Sequence, residues 1–302
     1  MKTLEGLGPL LLAATIVSTL SAETRCPGNH AGVPLRFANG YQMIVAVSVM
    51  HSGPYNFLLD TGTQFSMIDP SLASELHLLA SQDSVPVDGT GFHTTASTTQ
   101  LDQLEVGSHA VAHLEVVVFG LQNLKSIDLQ VRGILGEDFL QHFDMLIDNA
   151  HKMLCLDDSG ALRAEVKGAH IPLLTAPQAD VPPNSLVFAV RLSEARRPLH
   201  LKLDSGANAP FLYSAPQYMA VAQFRGASLH GSGTNGLQRA FVALPAQNMK
   251  IGSLDLEKVP FFTPIGGQKN ARTSDVDGLL TMGLFRRVFI CHAEHFAVLE
   301  AR

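Results

Sequence analysis

Two short stretches of the chain end an apolar strand pattern on an acid. FLLDTGTQF, from Phe57, and LKLDSGANAPFL, from Leu201, each run into Asp, a hydroxyl residue and Gly, then return to apolar residues. An unpaired carboxylate costs several kcal/mol to bury, so Asp60 and Asp204 are either turn-formers or held for chemistry. A duplicated unit that packs with pseudo-twofold symmetry brings equivalent strand ends together at its axis. Asp60 and Asp204 then share one site, and two carboxyls at near-contact distance keep one proton between them. The anion takes a proton from a water held between them, while the neutral partner donates to a carbonyl oxygen that the water attacks. The neighbouring residues suit that chemistry. Thr61 and Ser205 supply hydroxyls that bond across the interface, and Gly62 and Gly206 let backbone N–H groups approach the carboxyls where a Cβ would intrude.

The elements that must position these groups repeat along the chain. Asp60 and Asp204 stand 144 positions apart, and four flanking features keep order around them. Upstream, GVPLRF around Pro34 matches HIPLL around Pro172, with six more residues before the Asp in the second copy. Downstream, DGTGF and HGSGT place Gly91 and Gly233 at 31 and 29 residues after the Asp, and LEVGS and MKIGS place Gly107 and Gly252 at 47 and 48. RGILGEDFL and DGLLTMGLF then give an apolar run ending in Gly136 and Gly283, at 76 and 79. Between these landmarks lie short segments rich in Val, Ile, Leu, Phe and Thr, such as QMIVAVSV, HLEVVVF, SLVFAVRL and EHFAVLE, punctuated by Gly, Pro, Asn or Asp. They predict an all-β unit of hairpins, with short helices only at SLASELHLLA and GEDFLQHF.

At 302 residues the chain has room for two such units. The expected division is a signal segment over 1–22, a first lobe over 30–160 and a second over 168–302. The polar stretch Asp157 to Lys167 is the joint, and APQADVPPNS is a loop inside the second copy. The start combines Lys2, an apolar run from Leu7 to Leu20 and a small residue at Ala22, which predicts export to a periplasmic or extracellular space. The run falls short of the roughly 20 residues of a spanning helix, so no membrane attachment is expected after its removal. Charged residues make up 16% and the net charge is −6, with no basic cluster, which excludes nucleic acid as a partner. Three cysteines, Cys26, Cys155 and Cys291, allow one disulfide and leave one thiol over.

An apolar-Asp-Thr/Ser-Gly motif, followed some 75 to 80 residues later by an apolar-apolar-Gly element, resembles the aspartic peptidases. Each lobe is similar to their single-domain retropepsin-like units, and the two together to a fused, pepsin-like pair over about residues 30 to 302. The resemblance implies two pseudo-symmetric β-barrel lobes with a cleft between them, a monomer that is its own pseudo-dimer, and catalysis by Asp60 and Asp204 with Thr61, Gly62, Ser205 and Gly206 in support. It implies an endopeptidase that needs no cofactor or metal and binds a polypeptide in extended form. The half-protonated pair exists over a limited pH window, which suggests an acidic optimum. Gly-rich hairpins near 88–96 and 230–238 are the flap candidates, with Gly91, Phe92, His93 and Gly233 near their tips. Three departures stand out: Pro210 where the first copy has Ser66, Thr281 inside the second apolar-apolar-Gly element, and no Tyr in DGTGFHTTASTT. They favour the competing reading of a peptide-binding protein that has lost turnover; the retention of both Asp and both Gly opposes it.

Other constellations carry less. His292 and His295 in CHAEHF have a metal-like spacing, but the segment aligns with the turn DNAHK and reads as a solvated hairpin turn. His109 and His113 flank another hairpin. No GxSxG elbow is present, and GSGTNG lacks the Lys and helix of a phosphate loop.

Overall fold

The computed structural model describes residues 26–29, 31–81, 84–89, 92–121, 124, 128, 130–175, 184–213, 228–232, 238–265 and 276–302. The expected signal segment lies outside them. Three sheets make up the architecture of the described residues. The first lobe is an eight-stranded sheet in the order Arg36–Ala38, Gln42–Val49, Ser52–Leu59, Val131–Leu135, Met67–Ile68, His109–Val118, Phe92–Val106, Ser84–Gly89. A further pairing of Gln42–Val49 with Phe92–Val106 curls it into a barrel. The second lobe is a nine-stranded sheet whose middle is Phe211–Leu212, Gly278–Thr281, Leu199–Asp204 and Val187–Leu192.

The third sheet joins the two halves. Its six strands run Val33–Pro34, Met153–Asp157, Asp144–Asp148, Phe285–Cys291, Phe296–Ala301, Ile171–Pro172, so three strands of the first half mirror three of the second. The seam is an antiparallel pairing, Met145 with Ile290 and Ile147 with Val288. The two segments around Pro34 and Pro172 thus occupy opposite edges of one sheet. Side chains alternate across a strand. Met145, Ile147, Leu154, Leu156, Val288 and Ile290 therefore join the main core, while Leu146, Cys155, Phe289, Cys291 and Val298 build a second cluster beneath. Both faces are buried, which explains why these strands read as continuous apolar runs. Phe57, Phe139, Phe188, Phe261, Phe285 and Phe289 are each less than 2% exposed, and burying such a ring contributes about 1.5–3 kcal/mol.

Local chemistry fixes the turns. Gly107 and Gly252 sit at φ +62° and +56° in the two-residue connections Val106-to-His109 and Ile251-to-Leu254, a conformation that favours glycine. Helix Pro70–Glu75 starts on Asp69, whose Oδ1 accepts from Ser71 N at 2.9 Å, with Pro at the first helical position. Helix Glu137–Leu140 follows Gly136. The polar joint holds a third short helix, Ala161–Glu165, that the sequence pattern does not announce. It forms because Asp157 Oδ2 accepts from Leu162 N at 2.8 Å while Leu162 buries itself in the second cluster. Cys26 and Cys155 are joined in a disulfide, their Cα atoms 5.8 Å apart, and Cys291 is a buried free thiol. Among the described residues no helix is long and apolar enough to cross a membrane.

Candidate active site

Each lobe carries its acid at the end of an inner strand held by a parallel neighbour. In the first, Phe57 pairs with Gly133 and Leu59 with Leu135, and Asp60 N donates to Leu135 O at 3.0 Å. In the second, Leu201 pairs with Gly278 and Asp204 with Thr281. Counted back from the acid, both registers are the same: three residues before Asp60 and three before Asp204 lie opposite a Gly. This register corrects one expectation. The residue in the place of Gly136 is Thr281, at 77 positions from its acid against 76, and Gly283 lies two further on in the short 3₁₀ turn Met282–Leu284. Thr281 thus does not interrupt an apolar-apolar-Gly element; it completes the equivalent of Ile134-Leu135-Gly136 with a different last residue.

The two turns lock one another reciprocally. Thr61 N donates to Ser205 Oγ at 3.0 Å and Thr61 Oγ1 to Leu203 O at 3.0 Å. In return Ser205 N donates to Thr61 Oγ1 at 3.1 Å and Ser205 Oγ to Leu59 O at 2.7 Å. Both side chains are buried, so the four bonds are shielded from competing water and neither turn can move without the other. The glycines serve the close approach. A Cβ on Gly62 would lie 2.5 Å from Asp204 Cγ, and one on Gly206 2.9 Å from Asp60 Cγ, so each glycine faces the other lobe's acid. The same two glycines donate to their own aspartates, Gly62 N to Asp60 Oδ1 at 2.8 Å and Gly206 N to Asp204 Oδ1 at 2.7 Å.

Asp60 and Asp204, each set against the other lobe's glycine, are close enough to perturb one another's ionisation. Burial, then the charge of Asp204, pushes the Asp60 carboxyl up to about 8. Burial also raises Asp204, opposed first by Lys202 and then by backbone N–H donors. The donor count decides which of the coupled pair holds the proton. Asp204 Oδ1 accepts from both Gly206 N and Ala207 N (3.0 Å), whereas Asp60 Oδ1 accepts only from Gly62 N. More donors favour the anion, so a single proton on the pair is favoured on Asp60 over Asp204.

The remaining expected site residues lie on or between the strands of two antiparallel pairs. Ser84–Gly89 and Phe92–Val106, the strands of the first flap candidate, pair antiparallel, with Gly89 opposite Phe92 and Asp88 opposite His93. Ser228–Ser232 and Gln238–Ala243 form its counterpart. Gly91 and Gly233 lie outside the described residues. His295 is exposed in its turn, but His292 corrects the expectation of a solvated pair: it is 8% exposed. Its Nδ1 meets Phe143 O at 2.8 Å and its Nε2 meets Glu137 Oε2 at 3.0 Å, across the boundary between lobes. Among the described residues no cluster of three or more His, Cys, Asp or Glu is placed to hold a metal ion.

Sequence reasoning missed several supports. Asp138 accepts from Ser66 N at 2.8 Å and Ser66 Oγ at 2.6 Å, and Ser66 Oγ accepts from Gly136 N at 3.0 Å. Burial raises Asp138 to about 6. The sixth residue after Asp60 is the half of this tie visible in the motif; the acid two after Gly136 is the other half, 72 positions further along. Lys202, two residues before Asp204, donates from Nζ to Gly62 O at 2.6 Å. Tyr213 lies within electrostatic reach of Asp204, and burial holds its hydroxyl above the usual range.

A profile of the aspartyl protease family matches residues 45–139, the span that holds Asp60, Ser66, Gly136 and Asp138. Among solved structures, an aspartic proteinase from Irpex lacteus superposes with a TM-score of 0.50 at 13% identity, covering 89% of this chain and 96% of that one. A retropepsin-like aspartic protease from Rickettsia conorii gives a TM-score of 0.31 at 19% identity, over 41% of this chain and 87% of that one. No curated protein sequence matches the chain. The profile and the fold shared with the Irpex protein bear out the resemblance to aspartic peptidases and the two-lobed all-β architecture.

Proposed function

We propose that the chain is an aspartic endopeptidase that hydrolyses peptide bonds through water activated by Asp60 and Asp204. The observation that carries this reading is the apposition of two half-buried acids, each on its own motif and against the other lobe's glycine, in turns that lock one another. The Asp204 carboxylate takes a proton from the water, whose oxygen attacks the peptide carbonyl carbon, and Asp60 gives its proton to the carbonyl oxygen. The product is a neutral gem-diol. Asp204 then passes its new proton to the amide nitrogen, Asp60 takes one back from the diol, the C–N bond breaks and both groups return to their starting state. No metal or cofactor takes part.

The reactive state is the singly protonated pair, present above the value of Asp204 and below that of Asp60. Both are raised, Asp60 to about 8, so the working window extends from mild acid toward neutrality rather than lying deep in acid. The two flap hairpins flank the cleft, where an extended polypeptide can add as a strand. The disulfide between Cys26 and Cys155 suits export to an oxidising compartment, and one chain supplies both acids, as a monomer requires.

Incubation with an unfolded protein from about pH 3 to about pH 9, with and without a pepstatin-type inhibitor, tests the reading. It expects inhibitor-sensitive internal cleavage that Asp204→Asn abolishes. Absence of cleavage at every pH, with peptide still bound, supports a binding protein instead.

A further inference from the structure

The face of strand Leu199–Asp204 that carries Asp204 carries a second charged group. Leu199, Leu201 and Leu203 are buried on one side, and His200, Lys202 and Asp204 share the other. At the equivalent place in the first lobe, two residues before Asp60, stands Leu58, buried in a small apolar cluster with Ile44, Leu121, Val131 and Ile134. A lysine here is not a packing residue, and its ammonium does not turn to solvent. It crosses the lobe boundary to donate to Gly62 O, the carbonyl of the glycine whose N–H holds Asp60.

The charges around Lys202 leave its own uncompensated except by the dyad. Asp60 and Asp204 face it from the two catalytic turns, and Glu137 from the helix after Gly136. Glu137 is 1% exposed, and its Oε1 has no hydrogen-bond partner. Its Oε2 meets His292 Nε2, while His292 Nδ1 must carry a hydrogen because Phe143 O can only accept. One proton therefore sits between Nε2 and Oε2. Whichever atom holds it, the Glu137–His292 pair has no net charge, and the positive charge of Lys202 is matched by the single negative charge of the dyad. Asp138, beside Glu137, is turned to Ser66 and Phe139 N. At the far end of the strand His200 N donates to Asp277, itself paired with Arg197. Tyr213 faces Asp204 from the segment after Phe211–Leu212.

We infer that Lys202 is a positioning residue for the dyad, a clamp that ties the second lobe's catalytic strand to the first lobe's catalytic turn and keeps the pair's one negative charge between the turns. This rests on the hydrolytic reading of the dyad, but the clamp can be measured without turnover. The test follows the Asp60 and Asp204 carboxyls by ¹³C NMR against pH in the wild type, Lys202→Met, Lys202→Gln and Lys202→Arg, and sets beside it the pH profile of kcat/KM. Loss of the positive charge favours the protonated acids, so in Lys202→Met both midpoints, and both limbs of the profile, move up by about one pH unit. With the tie to Gly62 also lost, kcat at the new optimum falls about tenfold while KM changes little. Lys202→Gln, which can still donate to Gly62 O, shows the same upward shift with a smaller loss in kcat, and Lys202→Arg restores the wild-type midpoints. Midpoints unchanged in both uncharged variants overturn the inference. If Lys202→Met fails to fold, Lys202→Gln against Lys202→Arg decides by the same titration. A wild type that cleaves nothing while its midpoints shift in the uncharged variants refutes the hydrolase and keeps the clamp.

Discussion

The two lobes hold the same acid at the same register and secure it from opposite strands. In the first lobe the support comes from the segment after the Asp60 turn: Ser66 Oγ accepts from Gly136 N and donates to Asp138. A Cβ on Gly136 would lie 2.7 Å from the Phe65 carbonyl carbon, so that segment presses directly on the strand end. In the second lobe Pro210 takes the place of Ser66 and offers no hydroxyl or N–H. Thr281, standing where the first lobe has Gly136, reaches the other way, donating from Oγ1 to Ala207 O at 2.7 Å and accepting from Gly283 N at 3.2 Å. The polar tie has moved from the loop to the strand, and the two departures from the motif compensate each other. What stays symmetric is what the chemistry needs: the acids, the glycines that face them and the Thr61–Ser205 lock. A disulfide closes the first half, while the thiol of the second, Cys291, stays free.

The comparison breaks most visibly at the acids. Asp60→Asn and Asp204→Asn are each expected to lower kcat/KM by at least about 10³-fold; a variant of either that retains a tenth of the activity would show that the acids are not equivalent partners. The same variants carry a stability signature. A carboxyl raised in the folded state costs stability as pH climbs from the ordinary carboxylate range, where the unfolded chain ionises, to about 8 for Asp60. Asp60→Asn should therefore raise the Tm by several °C near pH 7, with the gain gone by about pH 4. Calorimetry at the two pH values checks this.

Gly62→Ala and Gly206→Ala come next, at about 10²-fold each in kcat, because a methyl group pushes the opposing acid out of place. Gly62→Ala should be the worse, since its Cβ would meet Asp204 more closely than that of Gly206 would meet Asp60. The lock is smaller in effect: Thr61→Val and Ser205→Ala should each cost about 1–3 kcal/mol by leaving buried partners unpaired. Their double variant should cost less than the sum, a coupling that denaturant unfolding measures. The smallest difference separates the ties. Ser66→Ala strands Gly136 N and part of the half-buried Asp138, and should cost about 2 kcal/mol against about 1 for Thr281→Ala.

Much of this was legible in the sequence because it is local. The acid, its hydroxyl neighbour and its glycine form one turn, and the hairpin glycines Gly107 and Gly252 declare the repeat through a left-handed φ that side chains rarely adopt. What escaped was set by partners far along the chain. Glycine spacing pointed to Gly283, whereas strand register, which depends on Leu201 lying opposite Gly278, selects Thr281. His292 read as a solvated turn residue because its partner Glu137 lies 155 positions earlier. Lys202 carries no local signal, because the carbonyl it meets, Gly62 O, belongs to the other lobe. The joining sheet was visible only as apolar runs, with nothing local to say that strands from the two halves of the chain would pair at Met145 and Ile290.

The most direct measurement is the titration of the Asp60 carboxyl in the wild type and in Asp204→Asn, followed by ¹³C NMR. One shared site requires that removing the second acid lower the Asp60 midpoint, from about 8 by at least about one pH unit. An Asp60 midpoint that does not move when Asp204 is replaced would mean that the two acids titrate alone, and that the lobes do not build one site.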